Sequence, residues 1–269
     1  MALFGLSEGQ FRFATFVAIF LIMTLLETAL PRRERRHQRL ARWPTNIGVL
    51  IATFVAVSMI TFVVPITATL TAIWAQSSGW GLFNVVGWPV WLEALIAFVV
   101  LDFVIWAQHW VMHHVPVLWR VHRVHHTDQD LDASTAVRFH PVEIILSIAL
   151  KSAAVLALGA DPIVVVVFEA AVNGAALFNH ANLKLSGATD RVVRLFIVTP
   201  DMHRVHHSST LAETNSNYGF LLSLWDRLFR VYTDQPAKGH DGMTIGLEDY
   251  QAEGPTRLGW SLGLPFRKR

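Results

Sequence analysis

The 269-residue chain contains no cysteine. Disulfides, thiolate zinc sites and iron–sulfur clusters are therefore excluded, and any metal ion must be bound through nitrogen or oxygen. Charge is scarce as well, because Asp, Glu, Lys and Arg make up only 16% of the residues, against about 25% in a soluble domain. Hydrophobic residues make up 53%. The composition predicts a membrane protein.

Two further absences narrow the possible functions. The formal net charge is only +2 despite a pI near 9.2, and the basic residues lie in separate segments rather than along one helix, so we expect no nucleic-acid partner. The first ten residues contain neither Lys nor Arg, which a secretory signal peptide would carry. We therefore expect the N-terminal segment to be retained.

Long apolar runs predict an all-α, polytopic membrane helical bundle. The first run, Phe11 to Leu30, has the length that a helix needs to cross about 30 Å of hydrocarbon. Two more follow, from Asn46 to Trp74 and from Val90 to Trp106. Pro65 is expected to kink the second run or to end its first half.

Two shorter apolar runs predict a helical hairpin. They extend from Val142 to Leu158 and from Pro162 to Phe178, joined by Gly-Ala-Asp-Pro, and their length leaves open whether they cross the membrane or only dip into it. Lys151 and Glu169 each lie nine residues from Ala160, at one depth about 13.5 Å from the turn. An unpaired charge there costs about 2.5 to 3.5 kcal/mol, so we expect an ion pair, with a proton path as the alternative.

The arginines predict the orientation of the bundle. Six of them lie in the twelve residues 31–42, whereas the loop 75–88 contains no Lys or Arg. By the positive-inside rule, the first segment is cytoplasmic and the N-terminus lies outside. The segment from Lys184 onward is expected to form a cytoplasmic, histidine-rich helical cap without a second domain, so that residues 1–269 are a single integral-membrane domain.

Histidine is concentrated in spaced groups. The pentapeptide His-Arg-Val-His-His occupies 122–126 and returns at 203–207; it is the only internal near-repeat. Residues at i, i+3 and i+4 share one helix face, so each copy is predicted to aim its imidazoles at one point. The candidate ligands are His109 and His113, then His122, His125 and His126, then His203, His206 and His207, with His180 where the fifth run leaves the membrane.

The remaining histidines are weaker candidates. His113 is preferred to His114 because i+4 spacing from His109 aligns better than i+5. His140 either caps the helix that begins at Pro141 or supports a ligand. His37 and His240 are expected to be ordinary surface or core residues. The second pentapeptide is predicted to begin a helix, since Thr199 can cap it and Pro200 suits its first position.

Eight or nine imidazoles exceed what one ion can hold, so the count predicts two metal ions. Imidazole suits zinc, copper, iron and nickel. Structural zinc usually relies on thiolates that this chain lacks, and a catalytic site keeps open positions. We expect no catalytic side chain beyond the metal ligands.

The motifs HWVMH, HRVHH and HRVHH, followed by SNYGFLLSLWDRLF, resemble those of the fatty acid hydroxylase and sterol desaturase superfamily of membrane non-haem di-iron oxygenases. The resemblance runs from about Leu101 to Tyr232 and implies the nine histidines above as iron ligands, with His180 as the ninth. Three positions depart from the family pattern. Lys184 stands where some members have a further histidine, and Arg230 and Val231 stand where Gly-Thr is frequent. Bacterial members of similar length look most similar, which implies a bacterial cytoplasmic membrane.

The resemblance implies O2-dependent hydroxylation of a C–H bond in a membrane lipid, fatty acyl, sterol or related. Alternatives are a lipid desaturase, a membrane zinc-dependent hydrolase and a non-enzymatic metal transporter. A transporter would need ionisable residues along the spans, such as Asp102, but the histidine motifs lie outside the spans. No cytochrome-like domain is evident, so a separate electron-transfer protein is expected. The basic residues that could dock an acidic donor, or equally face solvent or lipid headgroups, are Arg120, Arg123, Arg191, Arg194 and Arg204.

Overall fold

A computed structural model describes residues 2–267 as a bundle of long helices that carries a cap of short ones. A two-residue strand pair, β1 (Ala2–Leu3) and β2 (Leu6–Ser7), precedes the bundle. The first eight helices are α1 Glu8–Ala29, α2 Arg39–Val63, α3 Ala68–Ser77, α4 Leu82–Val86, α5 Val90–His114, α6 Pro116–His126, α7 Pro141–Leu158 and α8 Pro162–His180. The cap adds α9 Gly187–Val193, α10 Pro200–His206, α11 Leu211–Thr214, α12 Leu224–Leu228, α13 Gly239–Gly242 and α14 Leu258–Gly263. The all-α membrane class is confirmed.

Helix boundaries follow local capping. Ser7 and Gln10 form a capping box at the start of α1. Pro65 ends the first half of the second run, as expected, because α2 stops at Val63 and Thr67 caps α3. The sequence placed the start of this run at Asn46, but α2 begins at Arg39, because its polar first turns are held by contacts made across the cap.

The principal cap contact is a buried arginine. Nε and Nη2 of Arg42 lie 2.6 and 2.7 Å from the two carboxylate oxygens of Asp128, and Nη1 lies 2.7 Å from Asp132. Burial alone would raise the pKa of Asp128, but the charge of Arg42 and its hydrogen bonds hold that pKa well below its usual range. Breaking such a buried pair costs about 3 to 5 kcal/mol. This pair ties α2 to the loop that follows α6.

The hairpin of α7 and α8 reaches the end of the bundle opposite the histidines. The two helices contain 18 and 19 residues, or about 27 and 28 Å at 1.5 Å per residue. Gly159 ends α7 in a left-handed conformation and packs directly against Gly81, where a Cβ atom would lie 2.2 Å from the Gly159 nitrogen. Since Gly81 belongs to the loop between α3 and α4, the hairpin turn lies level with that loop. Both helices are long and apolar enough to span a membrane.

The Lys151–Glu169 ion pair is present, which confirms the predicted hairpin register. It has a third member that the sequence did not reveal. Nη2 of Arg12, on α1, lies 2.6 Å from Oε2 of Glu169 and 2.9 Å from Oγ1 of Thr69. Glu169 therefore bridges two cations.

Replacing Gly81 by Ala tests the close approach of the two loops. Gly81→Ala is expected to lower the melting temperature in detergent and to cost about 1 to 3 kcal/mol through overpacking, beyond the strain of a positive φ. Gly87→Ala is the matched control, since Gly87 also has a positive φ but no atom within 4 Å of an added Cβ. Equal melting temperatures for the two variants would contradict the contact.

Charge exchange tests the intramembrane cluster. Lys151→Glu and Glu169→Lys should each reduce the yield of monodisperse protein in size-exclusion chromatography, and Glu169→Lys should be worse because it places three cations together. The double exchange should recover only part of the yield, since Arg12 remains next to a cation. A double variant no better than the worse single variant would refute the pairing.

Candidate metal centre

Nine imidazoles converge where α5, α6, α8 and α10 meet. Within each of two adjacent groups, one ring nitrogen per histidine lies within 4.8 Å of the others. The first group consists of His109, His113, His122, His126 and His206. The second consists of His125, His180, His203 and His207. Every histidine proposed from the sequence as a ligand lies in one of the groups, and both groups are buried except for the half-buried His113.

The expectation that each pentapeptide aims all its imidazoles at one point is wrong. In α6, His122 and His126 enter the first group and His125 enters the second. In the second copy the assignment is exchanged, because His203 and His207 enter the second group and His206 the first. The physical reason is that i and i+4 lie within about 40° of each other around a helix, while i+3 is rotated to the other side, about 60° from i and about 100° from i+4. Each copy therefore supplies ligand atoms to both groups.

Backbone carbonyls fix the tautomer of three rings. Nδ1 of His109 donates to the Tyr218 carbonyl, Nδ1 of His206 to the Ser216 carbonyl and Nδ1 of His180 to the Ala176 carbonyl, each at 2.7 Å. A carbonyl oxygen only accepts hydrogen bonds, so each Nδ1 carries the hydrogen. In a neutral ring, Nε2 is then left with a lone pair.

These Nε2 atoms face one another. In the first group, Nε2 of His109 lies 3.0 Å from Nε2 of both His122 and His206. In the second group, Nε2 of His180 lies 3.0 Å from Nε2 of His125 and 3.1 Å from Nε2 of His203. The lone pairs of His109 and His206 therefore oppose and repel each other, and a shared cation removes the repulsion. The donor set thus fits a metal ion in each group.

The spacing fits ligands of one ion. At a metal–nitrogen distance of about 2.1 Å, neighbouring ligands are about 3.0 to 3.4 Å apart. The shortest separations between ring nitrogens in the first group are 3.0 and 3.1 Å.

Burial keeps the cap imidazoles neutral. It lowers the pKa of His125, His126, His203, His206 and His207 well below the usual value, and the neighbouring imidazoles lower it further. Metal binding requires neutral imidazole, so these rings are ready to bind without losing a proton.

A carboxylate orients one ligand. Oε1 of Glu143, on the first turn of α7, accepts a hydrogen bond of 2.7 Å from Nδ1 of His122. Such a contact fixes ring orientation and raises the basicity of the ligating nitrogen. Sequence reasoning did not single out Glu143, although a carboxylate three residues after His140, at the start of an apolar hairpin, was a usable signal.

The Trp-Asp segment holds the backbone that contacts one of the grouped histidines. Asp226 accepts hydrogen bonds from Trp106 Nε1 and the Tyr218 nitrogen, both at 2.8 Å, and burial raises the pKa of Asp226 to about 6. These hydrogen bonds fix the backbone at Tyr218, whose carbonyl accepts the hydrogen bond from His109. Arg230 has a φ of +59°, a left-handed conformation that glycine adopts more readily than other residues.

The other histidines lie outside the two groups. His114 is exposed and donates to the Trp110 carbonyl. His140 caps α7 through the Val142 nitrogen, which decides between the two roles considered for it. His37 contacts Gln129 and His240 is buried near Asp201. Thr199 caps α10 as predicted. Lys184 is exposed and away from both groups.

The predicted basic docking surface is wrong in part. Arg123, Arg194 and Arg204 are buried. Arg204 pairs with Asp201, and Arg194 pairs with Asp190 and Asp234. These arginines hold the cap together because their planar groups satisfy several acceptors at once. Only Arg120 and Arg191 of the five are exposed.

A cavity of about 400 Å³ adjoins the first group, within the range of small-molecule sites. His109 and Glu143 line one end, and Lys151 and Glu169 line the other. Between them the walls are mainly apolar, with Phe168 and Val172 on α8. The cavity has room for an apolar chain beside His109 of the first imidazole group.

Glu143 offers a test of how the site is oriented. Glu143→Leu should weaken iron binding by about 10- to 100-fold, the range for such supporting contacts, measured by competition with a chelator. Glu143→Gln retains an acceptor oxygen and should recover much of the affinity. If Glu143→Leu binds iron as the parent does, the carboxylate does not position His122.

Comparison with known proteins agrees with this geometry. A sequence profile of the fatty acid hydroxylase family matches residues 94–231. Ornithine lipid hydroxylase OlsE of Rhizobium tropici is 29% identical over 202 residues, which cover 74% of this chain and 56% of that protein. Human alkylglycerol monooxygenase is 27% identical over 162 residues, covering 58% and 34%, and the Danio rerio protein of the same name is 30% identical over 161 residues, covering 58% and 33%.

The aligned region therefore spans about half of the first relative and about a third of the other two. No solved structure matches the chain. The family profile covers more than half of the 269 residues and includes all nine grouped histidines together with the closing Trp-Asp segment. The chain belongs to the fatty acid hydroxylase family, within the fatty acid hydroxylase/sterol desaturase superfamily.

Proposed function

We propose that this protein is an O2-dependent oxidoreductase that hydroxylates a C–H bond of a membrane lipid, fatty acyl, sterol or related, with two irons held by the nine grouped histidines. The proposal rests on the two adjacent imidazole groups, which contain five and four histidines, beside an apolar cavity. The relatives' names, a lipid hydroxylase and a monooxygenase, are consistent with it.

The contacts disfavour the other classes. A zinc hydrolase would be expected to use three protein ligands, whereas the first group offers five imidazole nitrogens and the second offers four. A transporter needs available ionisable groups along a path, but Asp102 accepts a 2.7 Å hydrogen bond from Trp225 and Lys151 is paired with Glu169.

The chain's own residues position and protect the reaction. The apolar cavity walls hold an alkyl chain next to His109 and exclude water from it. Glu143 keeps the His122 ring in place. When bound, the iron pair supplies the O2 chemistry that oxidises the C–H bond.

Hydroxylation consumes two electrons and two protons per O2, with one oxygen atom entering the lipid and the other leaving as water. A separate electron-transfer protein supplies the electrons in this proposal. It approaches the cap, which lies in the cytoplasm with the arginine-rich segment 31–42, while the N-terminus lies outside. A bacterial cytoplasmic membrane is the proposed location.

Metal content and isotope incorporation test the proposal together. Protein purified without O2 should contain about two irons per chain, since nitrogen sites that are loaded in air are open to zinc. His125→Ala and His206→Ala, one from each group, should each lower the iron content and abolish turnover, because each group loses a ligand. His114→Ala is the matched control and should keep both.

The product is measured in the lipid extract after exposure to ¹⁸O2. A labelled hydroxyl is expected in the parent and the His114→Ala variant. An unlabelled alkene as the product would show that the enzyme desaturates the lipid at this site instead of hydroxylating it. Turnover with zinc alone and without O2 would overturn the oxygenase and favour a hydrolase.

A further inference from the structure

A second cavity, of about 450 Å³, lies on an adjoining face of α5. Its walls are apolar side chains of three helices: Phe103, Val104 and Val111 on α5, Leu118 on α6, and Leu146 and Leu150 on α7. Leu146 and Leu150 are each 42% exposed, so the cavity opens onto the surface of the bundle that faces the bilayer. We refer to it as the α5–α7 groove.

The groove and the inner cavity share part of their lining. Gln108 and Met112 line both. They are one helical turn apart on α5 and flank His109, so the passage between the two spaces opens next to the first imidazole group. On α7 the two faces are separate, because Leu146 and Leu150 line the groove while Glu143, Ser147 and Lys151 line the inner cavity.

The two shared side chains suit a passage better than a wall. Met112 is unbranched and flexible, and methionine adapts readily to a changing neighbour. Oε1 of Gln108 is buried and has no hydrogen-bond partner among residues 2–267. A buried amide oxygen is normally satisfied, so this position has the capacity to bind a polar group that the described chain does not provide.

We propose that the α5–α7 groove is the entrance by which the alkyl chain of a membrane lipid leaves the bilayer, passes between Gln108 and Met112, and reaches the inner cavity beside His109. The occupant is an alkyl chain because the other groove side chains carry no charge or hydrogen-bonding group, and a headgroup placed there would lose its hydration. The headgroup remains at the membrane surface near the cap. The substrate is then a lipid that is oxidised along its alkyl chain, and this part of the inference rests on the proposed function. Entry of the lipid into the cavity does not rest on it.

The far end of the inner cavity limits the chain. Lys151 lies eight residues after Glu143 on α7, about 12 Å along the helix. Lys151 and Glu169 line the cavity at that depth, and Arg12 pairs with Glu169 there. A chain that enters at His109 therefore has a defined length of apolar space beyond the imidazoles.

Photocrosslinking tests the entrance without turnover. The full chain is reconstituted into phosphatidylcholine vesicles that contain phosphatidylcholine with a diazirine in the middle of one acyl chain, and labelled positions are mapped by mass spectrometry. Labelling is expected on groove residues and, inside, on the cavity residues Ile148 and Phe168. Phe54 and Leu21, which are 71% and 54% exposed, report ordinary contact with lipid.

Two substitutions at the passage should act in opposite directions. Met112→Trp should reduce labelling of Ile148 and Phe168 at least severalfold while leaving the groove labelled, and Met112→Ala should increase it. Misfolding cannot produce both results. Leu95→Trp, at an exposed position of α5 outside the groove, is the control and should change neither.

Labelling in proportion to exposure, with no excess in the groove, would overturn the entrance. So would interior labelling that is unchanged in both Met112 variants. Because the probe reports lipid position and requires neither iron nor O2, a failure here leaves the oxygenase proposal standing. Conversely, if the groove is labelled but the protein binds no iron, the entrance is supported and the oxygenase proposal is rejected.

Discussion

The repulsion between opposed imidazole lone pairs is the constraint on which the rest of this structure depends. Nine imidazoles are held with one nitrogen each close together in two largely buried groups, an arrangement that is unfavourable unless a cation lies in each group. The surrounding elements maintain it. Backbone carbonyls of Tyr218, Ser216 and Ala176 fix ring tautomers, and Glu143 fixes His122. Folding therefore provides the free energy that holds the donor nitrogens together before any metal binds.

The repeated pentapeptide shows how one helix can supply two sites. In both copies the i and i+4 histidines act together and the i+3 histidine enters the other group. Because the assignment is exchanged between α6 and α10, the two groups are linked through the same two helices. Loss of either helix would therefore affect both groups, and the cap that holds α10 is as important to the site as the membrane helices are.

Local features of the sequence predicted much of this arrangement. Hydropathy located the long helices, the cap of α10 followed from Thr199 and Pro200, and helix geometry paired Lys151 with Glu169. The ligand spacings singled out eight of the nine grouped histidines, and the family resemblance added His180. Each of these features depends either on residues that are close together in the sequence or on the fixed helical rise of about 1.5 Å per residue.

Contacts between distant segments could not be predicted in the same way. Arg12 joins Glu169 across 157 positions of sequence, and Arg42 joins Asp128 across 86. Buried Arg194 and Arg204 were taken for surface charges because a sequence does not show which acceptors surround a cation. The division of each pentapeptide between two groups likewise depends on how α6 and α10 are placed relative to each other.

The central claim is that each imidazole group holds its own iron. Anomalous diffraction from crystals of protein purified without O2, with data collected on both sides of the iron and zinc absorption edges, tests it most directly. The account predicts two iron peaks, one enclosed by His109, His113, His122, His126 and His206 and one by His125, His180, His203 and His207. A single peak, or peaks that appear at the zinc edge and not at the iron edge, would contradict it.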